Sequence, residues 1–421
     1  MKEMKDSSIS LIGLIPITWN VTRNKNVFSC KKDVVGKASS KTQLLSLTTK
    51  GIKEKDINNA DGKLPESFDT YQIVKQNEIV MCLFDLDVSA VFSGISHYDG
   101  MISPAYRVLH CKENIIPQFV DYWFRYIADG RKFNHYAKNI RYTLNYEDFS
   151  TISIVLPPLC VQIKIANYLD DKCARIDAII EKQQAIIEKL KEYKLSVITE
   201  AVTKGLNPNV EMKNSGIEWI GRIPSHWELR KLKYATKIMR GKFNHRPRND
   251  PDYYDGKYPF VQTGDVARAS KFIESYTQTL NELGYSVSKE FPKGSICMTI
   301  AANVGDVAVL NFNACFPDSV VGFVPLEKIH WNYLYYILSA MKQQLTRNAI
   351  ISTQLNLNVE IVKEEFISIA PYQEQLEIAK YLDQKCIAIE NMILKKKTVI
   401  DKLIDYKKSL IYELVTGKKE V

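Results

Sequence analysis

Two long stretches of the chain carry apolar residues at alternating steps of three and four and contain no internal Pro or Gly. This is the heptad spacing of a coiled coil, and it predicts two helices of about 45 residues each. The first seam comprises Leu169, Cys173, Ile176, Ile180, Ile187 and Leu190; the second comprises Leu382, Cys386, Ile389, Ile393, Ile400 and Leu403. Polar residues interrupt both seams at the same two places, namely Gln183 and Lys194 in the first and Lys396 and Lys407 in the second.

A helix with one apolar stripe needs a partner for that stripe, and the other helix is the nearest candidate. At about 1.5 Å per residue the pair would run on the order of 60 Å, comparable to nearly two turns of B-DNA at roughly 34 Å each. The periodicity alone leaves two interpretations open: a dimerisation arm, or a spacer between binding modules.

The two stretches are copies of each other. Residues 157–203 and 370–416 correspond at a shift of 213, and nearly half of their positions are identical. A shorter repeat relates "MKDSSISLIGLIPITW" (4–19) to "MKNSGIEWIGRIPSHW" (212–227) at a shift of 208. The chain is therefore duplicated, as a cyclic repeat opened at one point.

The segments between the repeats resemble each other only faintly and mix strand and helix patterns. Runs such as "NEIVMCLF" (77–84), "YPFVQTGDV" (258–266), "GSICMTIA" (294–301) and "VAVLNF" (307–312) predict strands, while "PQFVDYWFRYIADG" and "HWNYLYYILSAMKQQL" carry helical spacing. We predict an α+β fold with four parts: a first domain over 1–155, a long helix over 156–205, a linker and second domain over 206–368, and a long helix over 369–421.

The composition is that of a globular chain of 421 residues, and no apolar run approaches the roughly 20 residues that span a bilayer. The first residues do not read as a secretory signal, so we expect a cytoplasmic protein without a membrane partner. Eight scattered cysteines, without a C-x-x-C pair, are expected to be reduced thiols. The net charge of +9 is compatible with a polyanionic partner and does not require one.

One stretch in the second domain is strongly basic. "RKLKYATKIMRGKFNHRPR" (230–248) holds eight Lys or Arg and no acid. Such a run can neutralise phosphates and can present arginine donors to guanine edges, although a solvated, flexible surface strip is equally compatible with it. A weaker cluster in the first domain, diluted by Asp129, consists of Arg125, Arg131, Lys132, Lys138 and Arg141, with Tyr142 beside them.

Signatures of catalysis are mostly missing. The chain has neither a G-x-x-x-x-G-K-[ST] phosphate loop nor a G-x-G-x-x-G loop, and "LPPL" (156–159) is better explained as a stiff start to the long helix. "PDYYDGK" (251–257) places Asp252, Asp255 and Lys257 as a shortened metal-nuclease signature, but a turn is the favoured interpretation. We predict no catalytic residues and no metal site in this chain.

The repeated frame carries a family resemblance. "LPPLCVQIKIANYLD", "KEYKLSVITEAVT" followed by "KGLNPNVEMKNSGIEWIGRIPSHWE", and the closing "DYKKSLIYELVTGK" resemble the specificity subunit of type I restriction-modification systems. "RGKFNHRPRNDPDYYDGKYPFVQTGDV" resembles the opening of a target recognition domain in that family.

The resemblance implies a non-catalytic subunit that recognises DNA. Two target recognition domains would each recognise one half of a bipartite, asymmetric site on double-stranded DNA, and two antiparallel helices with a pseudo-two-fold relation would fix the gap. The partners implied are two copies of an adenine N6-methyltransferase subunit and the helicase-nuclease restriction subunits. S-adenosylmethionine, ATP and magnesium would belong to those partners, with no cofactor in this chain.

Residue type and context suggest which side chains contact DNA. The candidates in the first domain are Lys50, Lys53, Arg131, Lys138, Arg141 and Tyr142. Those in the second domain are Arg240, Lys242, Arg246, Arg248, Gln262, Thr263, Arg268, Arg347 and Gln354. Two alternatives remain at this point: a coiled-coil scaffold or sequence-nonspecific DNA-binding protein outside restriction, and a nuclease built on Asp252, Asp255 and Lys257.

Overall fold

The computed structural model describes residues 3–30, 32–48, 51–56, 65–84, 86, 93–129, 132, 143–351 and 357–421, without the side chains of 348–351. The chain forms two compact units: the first combines Met1–Gln183 with Lys397–Val421, and the second is Gln184–Lys396. Within the described residues, every helix is too short or too polar to cross a membrane. The four domain boundaries drawn from the sequence stay a prediction.

Both long helices form as the heptad pattern predicts. The first long helix is Leu159–Lys204, with 46 residues, and the second is Tyr372–Val415, with 44 residues. Each begins after a proline, and each is followed within two residues by a glycine with a positive φ, 76° at Gly205 and 72° at Gly417. Glycine adopts this left-handed conformation without steric cost, so it closes a helix.

All twelve residues of the predicted seam are buried or half-buried. In the first unit Leu169 and Cys173 share a hydrophobic core with Leu410 and Leu414. In the second unit the corresponding core contains Leu382 and Cys386 with residues 198–202 of the first long helix. Each unit therefore buries one half of the seam.

Ion pairs show that the two helices run antiparallel. In the first unit Lys407 Nζ lies 2.7 Å from Asp177 Oδ2, and in the second unit Lys194 Nζ lies 2.6 Å from Glu390 Oε1. Asp177 and Glu390 are separated by the repeat shift of 213, and so are Lys194 and Lys407. The interruptions at Lys194 and Lys407 therefore make the same contact, once in each unit.

The short repeat is a β-hairpin. In the first unit Met4–Asp6 pairs with Leu14–Pro16, and in the second unit Met212–Asn214 pairs with Arg222–Pro224 in the equivalent register. A buried tryptophan follows each hairpin, and it packs on the glycine that ends a long helix. A Cβ on Gly417 would lie 3.2 Å from Trp19, and one on Gly205 would lie 3.2 Å from Trp227.

A second pair of strands ties each hairpin to the start of a long helix. Asn20–Arg23 pairs with Ser153–Leu156 in the first unit, and Glu228–Lys231 pairs with Phe366–Ile369 in the second. We call the hairpin, this strand pair and the long-helix segments of a unit its frame. The residues between the two strands of a pair, 24–152 and 232–365, form the first and second inner domains.

A buried glutamine joins each inner domain to its long helix. Gln162 Oε1 accepts from the backbone N–H of Ile116 at 3.0 Å, and Gln375 Oε1 accepts from that of His330 at 2.8 Å. Each side-chain amide also donates to a carbonyl just before the helix, at 3.0 Å and 2.8 Å. Both glutamines are at most 3% exposed.

A tyrosine–aspartate hydrogen bond makes the next contact along each helix. Tyr122 donates to Asp170 and Tyr336 donates to Asp383, both at 2.7 Å. Burial is the main cause that raises the pKa of both tyrosines, and the carboxylate that accepts from each phenol adds to it. In the second unit Lys271 also bonds Asp383.

The first inner domain is α+β. Its four-stranded sheet has the order Phe28–Cys30, Arg107–Cys111, Ile79–Met81 and Ser93–Ile95. Two-stranded sheets pair Leu45–Thr48 with Gly51–Glu54 and Gln72–Val74 with Gly100–Ile102. The helices are Asn24–Val27, Gly36–Lys41 (3-10), Pro117–Ala128 and Tyr146–Thr151.

The second inner domain is also α+β, with two sheets. The five-stranded sheet has the order Thr236–Arg240, Val320–Pro325, Ile296–Thr299, Val307–Leu310 and Phe272–Ile273. The four-stranded sheet has the order Gln278–Leu280, Tyr254–Phe260, Ala314–Cys315 and Glu290–Phe291. The helices are Leu232–Tyr234 (3-10), Pro251–Tyr253 (3-10), Thr263–Arg268, Glu282–Ser286, Trp331–Ala340, Lys342–Ile351 and Val359–Glu364.

Two local predictions in this domain were wrong in extent. The strand predicted over 258–266 ends at Phe260, because Gln262 and Asp265 form a capping box that starts a helix at Thr263. The helical pattern over 330–345 is divided at Met341 into two helices. The α+β class with two long helices is confirmed.

Candidate nucleic-acid interface

The basic stretch 230–248 is ordered by acids that lie far away in the sequence. Lys231 Nζ and Lys233 Nζ lie 2.7 Å and 2.5 Å from the carboxylate oxygens of Glu364. Hydrogen bonds from these two ammonium groups lower the pKa of Glu364 to about 2. The first part of the stretch is therefore partly neutralised and is not a free strip.

The second part leaves the edge strand Thr236–Arg240 and packs on the segment 316–320. The backbone N–H of Gly241 donates to Val320 O at 2.9 Å, and the backbone N–H of Lys242 donates to Phe316 O at 2.9 Å. A Cβ on Gly241 would lie 2.8 Å from Phe316 O, so only glycine allows this approach. This close packing fixes the backbone position of the basic residues that follow Gly241.

These side chains converge on Asp318. Arg248 Nη2 donates to Asp318 Oδ1 and Oδ2 at 2.6 Å and 2.5 Å. Arg246 Nη2 lies 3.6 Å from Oδ2, and Arg240 Nε donates to the main-chain oxygen of Asp318 at 2.7 Å. Lys242, on the same loop, is exposed. We call these five residues the Asp318 cluster; with four cationic side chains and one carboxylate it carries a net charge of three positive.

Aromatic residues support the backbone of this cluster. Phe243 is buried, and its ring lies 5.7 Å from that of Tyr254, whose hydroxyl donates to Arg248 O. His245 stacks on Tyr253 at 3.8 Å between ring centroids and binds Asp250 at 2.8 Å. The loop from 241 to 254 is thereby anchored at several points while its guanidinium groups stay about half exposed.

Three other predicted contacts lie on the neighbouring segment, where Val261 N–H donates to Cys315 O at 3.0 Å. Gln262 donates to Gln278 Oε1 at 2.9 Å and caps the helix that Thr263 begins. Arg268 bonds the buried carboxylate of Asp265. Gln262 and Arg268 therefore hold the local fold, and a DNA contact for all three stays a prediction.

The remaining predicted contacts are scattered or not described. Lys53 is exposed on the strand Gly51–Glu54, and Arg347 is exposed on the helix Lys342–Ile351. Six candidates lie outside the described residues: Lys50, Arg131, Lys138, Arg141, Tyr142 and Gln354. The structure thus brings Arg240, Arg246 and Arg248 together at Asp318, with Lys242 exposed on the same loop. Sequence reasoning missed Asp318, which lies 70 residues beyond Arg248 and has no local signal.

The nuclease-like residues do not converge. Pro251–Tyr253 forms a short 3-10 turn that Asp250 caps, and Asp255 has a positive φ of 60°. Lys257 pairs with Glu282 at 2.8 Å. Over the part of the chain that the structure describes, no group of three His, Cys, Asp or Glu side chains is placed to hold a metal ion. This geometry favours the turn.

The long helices carry a second, exposed apolar row beside the buried seam. In the first unit it consists of Ile179, Val399 and Tyr406, which are 42–52% exposed. In the second unit it consists of the equivalent residues Met392, Ile186 and Tyr193, which are 37–54% exposed. All six precede a seam position by one residue; because the helices run antiparallel, these positions flank the seam on the same side. Each unit thus presents the same apolar surface, which we call the outer row.

Comparison with known proteins gives one consistent result. Residues 224–399 match the family described as the type I restriction modification DNA specificity domain. The putative type I restriction enzyme MjaX specificity subunit of Methanocaldococcus jannaschii is 28% identical over 320 residues, which cover 74% of this chain and 70% of that protein. The MjaVIII specificity subunit of the same organism is 24% identical over 374 residues, covering 83% and 80%.

A solved structure is similar throughout. It is described as the structural basis of complex assembly and conformational transition of the type I R-M system. One of its chains matches with a TM-score of 0.71 and 14% identity, covering 96% of this chain and 99% of that chain. At this identity the likeness shows the fold alone.

Proposed function

We propose that the chain, which is similar to type I restriction-modification specificity subunits, is the non-catalytic subunit that recognises a bipartite, asymmetric DNA site. The observation that carries the proposal is the duplication. Two equivalent frames hold two different α+β domains, so one molecule presents two different surfaces in the same structural setting. Each inner domain would recognise one half-site.

The Asp318 cluster supplies the chemistry for recognition in the second domain. Its lysine and arginine side chains suit phosphate oxygens, and its guanidinium groups also suit the O6 and N7 acceptors of guanine. Neutralising three phosphates would give a slope of log affinity against log salt of about −2.7 for this cluster. In the first domain Lys53, together with the undescribed Lys50, Arg131, Lys138, Arg141 and Tyr142, remains our proposed set.

We assign the gap between half-sites to the long helices. A helix of 44–46 residues is about 65–70 Å long at 1.5 Å per residue. Inserting one heptad after Ile180 and one before Leu403 keeps the seam in phase, and it adds about 10 Å, which equals about three base pairs at 3.4 Å each. The methylated motif should keep both half-sites and gain a longer spacer. Changed half-sites with an unchanged spacer would contradict this assignment.

The outer row supports docking of two copies of one partner, which we propose is the adenine N6-methyltransferase subunit. Each unit carries one equivalent copy of the row, and a row of exposed apolar side chains spaced by a heptad suits a partner helix. The restriction subunits would join that complex. S-adenosylmethionine, ATP and magnesium would be bound by these partners.

Mapping of methylated adenines tests the recognition proposal. The chain is co-expressed with its methyltransferase, and the modified positions are read across a genome. We expect one motif with two unlike halves and a fixed spacer. A single continuous palindrome, or methylation without sequence preference, would overturn the proposal.

Stoichiometry tests the docking proposal. Tyr406→Glu and Tyr193→Glu place a charge in the outer row of the first and second unit respectively. Native mass spectrometry should show one bound methyltransferase for either variant and none for the double variant. Leu394→Glu is the matched control, because Leu394 is 62% exposed on the same helix but outside the row. Two copies bound to the double variant would show that docking lies elsewhere.

A further inference from the structure

We propose that Asp318 is a positioning residue for base recognition: it holds Arg248 and Arg240 so that the second inner domain recognises a guanine edge as well as phosphates. This inference rests on the proposed function of that domain. It assigns a role in recognition to Asp318, whose carboxylate repels the DNA phosphates although it lies at the centre of the basic cluster.

The geometry shows a guanidinium group that is oriented and still available. Arg248 commits only Nη2 to Asp318, and within the described residues Nη1 and Nε have no protein partner. The side chain of Arg248 is 50% exposed. Its main chain is also held, because Tyr254 donates to Arg248 O. Nη1 and Nε of Arg248 are therefore available to another acceptor, while the backbone and Nη2 of this residue are held in place.

Arg240 is held from the other side of the same residue. Its Nε donates to the main-chain oxygen of Asp318 at 2.7 Å, and its terminal nitrogens have no partner among the described residues. Arg246 is held differently, because its Nη1 donates to the carbonyls of Phe243 and His245 at 2.8 Å and 2.7 Å. The carboxylate of Asp318 thus orients Arg248, and its main-chain oxygen orients Arg240. These two arginines lie at opposite ends of the loop 240–248.

The charge of Asp318 is informative because it opposes simple DNA binding. A surface that only neutralised phosphates would gain affinity by losing this carboxylate. A contact with one acceptor of a guanine edge instead needs a donor held in a fixed position, and a guanidinium group that is already oriented loses less conformational freedom on binding. An acid at the centre of the cluster therefore lowers general affinity and favours discrimination between bases.

The test compares two acids that neutralise the same basic stretch. Asp318→Asn removes the carboxylate from the cluster, and Glu364→Gln removes the one that pairs with Lys231 and Lys233. Each variant is purified in complex with the methyltransferase. Competition binding to random-sequence DNA at several salt concentrations measures general affinity, and methylation mapping measures base preference.

Both variants should bind random DNA more tightly, with a salt slope steeper by up to about 0.9. Only Asp318→Asn should relax base preference, by about 10-fold at one position of one half-site, while the other half-site and the spacer stay unchanged. The inference is overturned if Asp318→Asn changes affinity and leaves every base preference intact, or if Glu364→Gln relaxes the same position.

A second variant keeps the inference testable if Asp318→Asn fails to fold. Arg248→Lys retains the charge and removes the planar guanidinium group that Asp318 orients, so it should relax the same base position without raising affinity for random DNA. An unchanged motif in that variant would overturn the role of Arg248. If the unmodified complex gives no bipartite motif, the proposed function itself fails, which is a distinct result.

Discussion

In the first unit Trp19 packs on Gly417, and in the second Trp227 packs on Gly205; a Cβ added to either glycine would lie 3.2 Å from the indole ring. The inner domains differ in their sheets: the second has one sheet of five strands and one of four, and the described part of the first has one sheet of four strands and two of two strands. The contacts that attach a domain to a long helix are thus repeated, and the surfaces that face outward are not. A frame of this kind can present different recognition surfaces without a change in how they are held.

The tryptophans should give the largest effect. Trp19→Ala and Trp227→Ala each remove a buried indole ring, which costs about 3–5 kcal/mol of unfolding free energy. Trp227 Nε1 also donates to Glu374 at 3.0 Å, whereas Val161 occupies the equivalent position in the first unit. The loss should therefore be slightly larger in the second unit.

Hydrogen exchange of each unit measures these losses separately. Tyr234→Ala is the control, because that side chain is 62% exposed and its removal should cost less than about 0.5 kcal/mol. If either tryptophan variant lost its protection from hydrogen exchange in the other unit, the two frames would not be equivalent.

The glutamines should have the next largest effect. Gln162→Leu and Gln375→Leu leave a partly buried backbone N–H without its acceptor, which costs about 1–3 kcal/mol. The two losses should agree within about 1 kcal/mol by urea unfolding. Gln373→Leu, at an exposed site on the second long helix, should be nearly neutral. Unequal losses at the two glutamines would show that only one of them fixes its domain.

Asp383 should make the second unit sensitive to acid. Burial raises the pKa of Asp383, but hydrogen bonds from Lys271, Tyr336 and Asn332 outweigh it, so the pKa lies below its ordinary value. A depressed pKa in the folded state means that the stabilisation is present above the unfolded pKa of about 3.9 and is lost as the pH falls further.

The expected contribution is on the order of 1 kcal/mol, because the side chain is about a third exposed and solvent screens the pair. Unfolding of the wild type and Asp383→Asn should differ at pH 7 and converge below pH 4. A difference that does not depend on pH would assign the effect to packing.

The lysine–acid pairs of the seam should give the smallest effect. Double-mutant cycles on Lys194 with Glu390 and on Lys407 with Asp177 should each yield a coupling of about 0.5 kcal/mol, since all four side chains are partly exposed. Lys194→Met alone should be neutral or stabilising, because methionine extends the apolar seam. A coupling near zero in only one of the two cycles would show that this ion pair stabilises one frame and not the other.

The sequence predicts the frame well because the frame is periodic and repeated. The heptad pattern predicts both helices and shows polar residues at positions 194 and 407. It does not predict Glu390 and Asp177, the acids that pair with these two lysines. Gln162 and Gln375 stand at equivalent positions of the repeat, yet their role depends on backbone atoms more than 40 residues away. Asp318 could not be found at all, since nothing periodic links it to the arginines.

The contact of Trp19 with Gly417 has a consequence for biosynthesis. The core of the first unit contains Leu410, Leu414 and Val415, whereas the second unit is continuous over Gln184–Lys396. The first inner domain is therefore made early, but its core is complete only after a loop of about 400 residues closes, an entropically slow step. We expect a nascent chain halted after residue 396 to protect Trp227 from solvent while Trp19 stays exposed, so the domain translated first is the last to mature.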